Sequence, residues 1–187
     1  SLFATGISQI VIHEVKEPLQ TVLANPKVQF FETDVGSEKQ LTQTLLRIQT
    51  ELQMNDKKIS VLINNAGRDF RGALKDTWPD ISRVFSINMF SHYWAIQAVL
   101  LFREEHQINT PLCIVAVSLV LGYLSPRNLT LYSALKAAVT QLYEGLSQEL
   151  ALENIGCLLV VPGQLDLQMF RDVSPSNRLL APIVEAS

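Results

Sequence analysis

The chain has 187 residues, of which 48% are hydrophobic and 18% charged. That balance suits one globular domain with a sizeable core and excludes a disordered chain. A formal net charge of −3 leaves no electrostatic reason for nucleic-acid binding.

Ser1–Ile7 shows no initiator Met and no basic-then-apolar leader, and reads as the tail of a helix. Gln9–Glu14 is the first short apolar run, and Pro18 beyond it stands where a helix could start. Val28–Glu32 is the second run. It leads to Glu38–Met54, where Leu41, Leu45, Ile48 and Leu52 form one apolar stripe at helical spacing. Ile59–Asn64 is the third run, followed by a long helical pattern over Pro79–His106 that Pro79 can open.

Leu112–Val117 is the fourth run. The apolar stretch that contains it ends at Leu124, short of the roughly 20 residues that span a bilayer. Leu131–Glu153 is the next helical pattern, and Gly156 is placed to end it before a fifth run, Cys157–Val161. Cys113 and Cys157 each stand in an apolar run and read as buried thiols. With three scattered histidines, no spacing suggests a metal site.

The runs are apolar on both faces, as in parallel strands covered by helices above and below. Their alternation with helices predicts one domain over 1–187, an α/β doubly wound parallel sheet of Rossmann-like type. Such a sheet binds ligands at the carboxyl ends of its strands.

Glu14 ends the first run. A carboxylate there can accept hydrogen bonds from both ribose hydroxyls of an adenosine and repels a 2′-phosphate, though a solvated acid also suits a strand end. Asp34 follows the second run, a position where turns also favour Asp. Asn64-Asn65-Ala66-Gly67 closes the third, with a glycine that lets backbone approach a ligand. Ser118 follows the fourth. Tyr132 and Lys136, four residues apart, share one helical face, where an ammonium beside a phenol favours phenolate and equips it for acid–base work.

Asp34, Asn64-Asn65-Ala66-Gly67, Asn88, Tyr132-x-x-x-Lys136 and Pro162-Gly163 resemble, in order and approximate spacing, the short-chain dehydrogenase/reductase family. The resemblance runs from about residue 9 to about residue 170, and Val120-Leu121-Gly122 with Pro162-Gly163-Gln164-Leu165 is similar to its retinol and hydroxysteroid dehydrogenase branch. It implies an oxidoreductase of alcohols or ketones that uses NAD, preferred here over NADP because of Glu14. It implies that Asp34 and Val35 meet the adenine and that Asn64, Ala66, Gly67, Pro162 and Gly163 line the nucleotide. Tyr132 would be the general acid/base. Lys136 would hold the nicotinamide ribose, Asn88 a relay water, and Ser118 would stand nearest the substrate-orienting serine.

The sequence departs from the family in three places. The glycine-rich turn that cradles a pyrophosphate at a helix N-terminus is missing, since no two of the eight glycines lie within three residues of each other. With the Ser1 start and Ser187 end, this leads to the expectation of an incomplete chain without the family's first strand. Leu119 occupies the place of the family serine, thirteen residues before Tyr132 and three before Gly122. Leu167 replaces the threonine that follows Pro-Gly in relatives.

Two functions follow as expectations: an NAD-linked oxidoreductase with weakened chemistry, or an impaired relative that binds a nucleotide or a partner. Met169, Phe170, Leu179 and Leu180 suggest an apolar, lipid-like substrate. Homo-oligomers would form through helices 79–107 and 131–153. The expected location is cytoplasmic, the alternative being a membrane reached through a missing N-terminal segment.

Overall fold

In the computed structural model, residues 10–14, 24–68, 78–126, 129–165 and 183–184 are described, with backbone alone for 10–14, 78, 164–165 and 183–184. Strand β1 (Ile10–Glu14) pairs in parallel with β2 (Val28–Glu32), so that Glu14 ends opposite Glu32. A second parallel sheet has the order β3 (Val61–Asn64), β4 (Leu112–Val117), β5 (Ile155–Val160). Short strands β6 (Gln164–Leu165) and β7 (Ile183–Val184) pair with each other. These are parallel strands with helical crossovers, the predicted class of fold.

Helix α1 (Glu38–Met54) begins at Ser37, whose side chain accepts from the Gln40 amide and satisfies one of the first-turn donors. Leu41, Leu45 and Ile48 of its apolar stripe are buried. Helix α2 (Trp78–Phe85) runs through a π turn (Ser86–Phe90) into α3 (Ser91–Glu105). By length and composition Pro79–Glu105 could cross a membrane. Its Ala95, Ile96, Val99 and Phe102 are buried in the protein, as in a core helix.

Helix α4 (Thr130–Glu149) packs on the same face of the second sheet. Val99, Leu112, Ile114, Leu135, Val139 and Tyr143 form the heart of the main core there. Alternation along the strands is sharp: Leu112, Ile114 and Ala116 are buried, whereas Val61 and Ile63 of β3 and Leu158 and Val160 of β5 are exposed. The expectation of helices above and below is therefore met on one face among the described residues.

Two further expectations need correction. The 79–106 helix is not regular, because the ladder widens by one residue around Asn88, where the Ser91 amide reaches back to the Ser86 carbonyl. The last helix ends at Glu149, and Gly156 does not end it. The chain turns at Asn154, in the left-handed region at φ 58°, and Gly156 already pairs with Cys113 inside the sheet. The helix that Pro18 could start and the tail Ser1–Ile7 lie outside the described residues.

Candidate active site

The carboxyl ends of β2, β3, β4 and β5 carry most of the predicted residues. At the end of β2, the Thr33 hydroxyl donates to Thr44 on α1 at 3.0 Å, which fixes the turn. Asp34 Oδ1 accepts from the Gly36 amide at 2.9 Å and from Arg83 of α2 at 2.7 Å. The Arg83 hydrogen bond holds the Asp34 carboxyl below its ordinary range, with the Gly36 bond adding to it against a smaller effect of burial. Val35 packs with Leu41 and Leu45. Glu14 ends β1 on the neighbouring strand, where the backbone alone is described.

At the end of β3, Asn64 Nδ2 donates to the Tyr143 hydroxyl at 2.7 Å and ties the strand to α4. The loop through Ala66 and Gly67 is then held from the other side. Asn88, fully buried, donates from Nδ2 to the Arg68 carbonyl at 2.7 Å and accepts at Oδ1 from the Arg68 amide at 2.6 Å. That paired bond, made like a short piece of sheet, is what the π turn presents.

At the end of β4 the chain divides its side chains between two sides. Ser118, 2% exposed, donates to the Lys136 carbonyl at 3.3 Å and lies 3.2 Å from the Thr140 hydroxyl. Leu119 turns the other way and clusters with Tyr132 and Leu129. The Ser118 hydroxyl, expected near the substrate, is thus engaged against the α4 backbone, as extended alternation requires. Gly122, in the 3-10 turn Val120–Gly122, lies so close to α4 that a Cβ there would stand 3.0 Å from the Lys136 carbonyl oxygen. The Val120 amide donates to the Pro162 carbonyl at 3.0 Å, which brings Pro162-Gly163 beside this turn.

Tyr132 and Lys136 lie on one face of α4, with the Lys136 ammonium 5.8 Å from the centre of the Tyr132 ring. Lys136 is 6% exposed and donates to the Val117 carbonyl at 3.3 Å. Burial lowers its pKa to about 8.

Sequence reasoning missed three residues. Arg83 grips Asp34. Tyr143 anchors Asn64. His92, one turn beyond Asn88, is 1% exposed and meets the Tyr143 ring edge-on at 5.8 Å. Only the four-residue spacing of Asn88 and His92 signalled a shared face. Leu167, Met169, Phe170, Leu179 and Leu180 lie outside the described residues.

Parallel strands with helical crossovers, a carboxylate and an Asn-rich loop at their carboxyl ends define an α/β fold of the nucleotide-binding kind. A family model described as short chain dehydrogenase matches residues 1–178, and the chain belongs to that family. It is 29% identical over 170 residues to the uncharacterized oxidoreductase TDA5 of Saccharomyces cerevisiae, a match covering 86% of this chain and 49% of that one. The crystal structure of a short-chain dehydrogenase from Streptomyces avermitilis is similar at 30% identity and a TM-score of 0.67, over 78% of this chain and 52% of that one. RhlG of Pseudomonas aeruginosa, in an active-site complex with NADP, is similar at 26% identity and a TM-score of 0.67, over 81% and 59%. The chain thus spans about half the length of the first two.

Proposed function

We propose that the full-length protein moves hydride between a nicotinamide cofactor and the C–OH or C=O carbon of an alcohol or ketone. One observation carries the reading: Tyr132 and Lys136 share one face of α4, with the Lys136 ammonium 5.8 Å from the Tyr132 ring. The described residues fit the two ends of a dinucleotide. Lys136 is a buried cation with one carbonyl partner among the described residues, so N–H donors remain for ribose hydroxyls. Asp34 Oδ1 is occupied by two donors, and its second oxygen suits the adenine amine, beside Val35. Asn64, Ala66, Gly67, Pro162 and Gly163 would line the nucleotide between these ends.

When bound, the nicotinamide supplies or accepts the hydride. Tyr132 takes the hydroxyl proton in oxidation and returns one to the oxygen in reduction. Lys136 favours the deprotonated phenol by its charge. Asn88 holds the Asn64–Arg68 loop in place, and its π turn is where a relay water would sit. The resemblance and the apolar residues after Pro162-Gly163 support a lipid-like substrate. Exposed Phe90, Tyr93 and Leu101 support assembly through helices 79–107 and 131–153.

For the cofactor, we read NAD in preference to NADP. Glu14 and Glu32 end adjacent strands in register, and two carboxylates there oppose a 2′-phosphate. The NADP held by RhlG belongs to that protein and leaves the choice to local charge. Calorimetric titration of the full-length protein should give NAD the tighter binding by about tenfold or more. Tighter binding of NADP would overturn the assignment.

Leu119 favours a second reading, a relative that binds but turns over poorly. An apolar side chain packs against Tyr132 where relatives supply a donor to the substrate oxygen. Losing one such donor commonly costs about a hundred- to a thousand-fold in rate. Leu119→Ser in the full-length protein should therefore raise turnover about a hundredfold, and Tyr132→Phe in that background should abolish the gain. Ser118→Ala should cost about 1 kcal/mol of stability and little turnover, because its hydroxyl serves α4. If no serine variant turns over any of a panel of alcohols and ketones, the binding reading replaces the catalytic one.

A further inference from the structure

The turn after β2 is built more heavily than a plain connection needs. Thr33 is pinned to α1, the Ser37 amide donates to the Asp34 carbonyl at 3.0 Å, and the Asp34 side chain takes two donors on one oxygen. The second of these donors comes from far along the chain, on α2. The Arg83 guanidinium reaches Asp34 by lying directly over Gly36. A Cβ at Gly36 would stand 2.5 Å from an Arg83 nitrogen and 2.8 Å from Ile87. A glycine, a cation and a carboxylate are thus matched to one another.

We propose that Arg83 is a positioning residue for purine recognition: with the Gly36 amide it fixes Asp34 through Oδ1, so that Oδ2 is presented to the exocyclic amine of adenine. The proposal rests on the reading of Asp34 as the adenine contact and adds the residue that makes that contact selective. The Arg83–Asp34 pair is only partly exposed, at 39% and 27% for the two side chains, so solvent screening weakens it without abolishing it. Its value is geometric. A carboxylate held on one oxygen does not have to be ordered when the ligand arrives, and preorganisation of this kind appears as affinity and as discrimination.

The test compares NAD with nicotinamide hypoxanthine dinucleotide, in which a carbonyl oxygen replaces the adenine amine. A carbonyl facing the Asp34 carboxylate loses a hydrogen bond and meets a like partial charge. Calorimetry on the full-length protein should show a preference for NAD of about ten- to a hundred-fold, as expected for a hydrogen bond to a charged group. Arg83→Met should reduce that preference to about threefold or less, whereas Arg83→Lys, which keeps one N–H for Asp34, should retain part of it.

Gly36→Ala gives an independent route. Its methyl would displace the guanidinium while leaving Asp34 and Arg83 unchanged, and Gly36 has no left-handed backbone to forbid a side chain. It should reproduce Arg83→Met. A residue needed only for folding would weaken both dinucleotides equally and leave their ratio intact. An undiminished ratio in Arg83→Met and Gly36→Ala overturns the proposal. A wild-type protein that does not distinguish the two dinucleotides overturns the Asp34 reading beneath it.

Discussion

His92 and Lys136 show how burial, more than any other effect, sets charge at this site. His92 is 1% exposed, its Nδ1 has no hydrogen-bond partner among the described residues, and it faces Tyr143 and the Lys136 ammonium. Desolvation first, and the charge of Lys136 second, lower its pKa to about 3. Its ordinary value in the unfolded chain is 6.5, so the unfolded state binds the extra proton between those limits. Stability from neutral His92 is complete above pH 6.5 and is lost as the pH falls toward 3. Lys136 acts on the opposite limb. Its folded value is about 8 against 10.5, so the cost of its burial is full below pH 8 and relieved as the pH rises to 10.5. The two effects separate in one series of urea unfolding curves. His92→Phe keeps an aromatic edge against Tyr143 and removes both nitrogens. It should stabilise the full-length protein by about 1–2 kcal/mol at pH 7, by removing an unpaired polar atom, and by more at pH 4.5. An unchanged slope between pH 4.5 and 7 would show that His92 is protonated or solvated in the folded state.

At the scale of elements, the sequence was most legible where one physical signal acted alone. β1 begins within one residue of its predicted start, and β2, β4 and the helix Glu38–Met54 match their predicted bounds, because β-branched runs and a leucine stripe need no tertiary partner to be recognised. The π turn was invisible. It arises because Asn88 pairs with both backbone groups of Arg68, twenty residues away, and periodicity carries no trace of a contact at that range. Gly156 misled for the opposite reason: a strong local signal for a turn yields where Asn154 accepts a left-handed backbone two residues earlier. In the site, Asp34, Asn64, Tyr132 and Lys136 stood out because strand ends are where a doubly wound sheet presents ligands. Arg83 did not, since one arginine among helix residues reads as solvated until the fold brings it over Gly36. Ser118 and Leu119 were separable from sequence only by alternation, and the hydrogen bond from Ser118 to the Lys136 carbonyl now gives that alternation its physical content.

At the scale of the molecule, the β3–β4–β5 sheet is covered on one face and, among the described residues, open on the other. Val61, Ile63, Leu158 and Val160 are exposed by 45%, 46%, 52% and 39%, and the register places Ile63 and Leu158 on either side of Val115. These are β-branched or large apolar residues on the two strands that flank β4, not scattered singles, and monomers rarely leave such a patch in water. β1 pairs only with β2, and β3 only with β4, among the described residues, so each has an edge whose backbone groups seek partners. Both features predict that the 187 residues by themselves self-associate and bind an apolar dye. Replacing Ile63 and Leu158 by threonine and lysine should shift this chain toward monomer and reduce dye fluorescence. A protein of the length of the yeast relative, of which the match spans 49%, would have room for cover over the same face. There, the two substitutions should have the opposite effect and cost about 2–4 kcal/mol, the scale of uncovering or charging a buried apolar site. Light scattering on the short chain and urea unfolding of the long one read the two arms separately. A monodisperse short chain without dye binding would show that its own segments cover the sheet. Neutral substitutions in the long chain would show that the face is solvated in the complete protein.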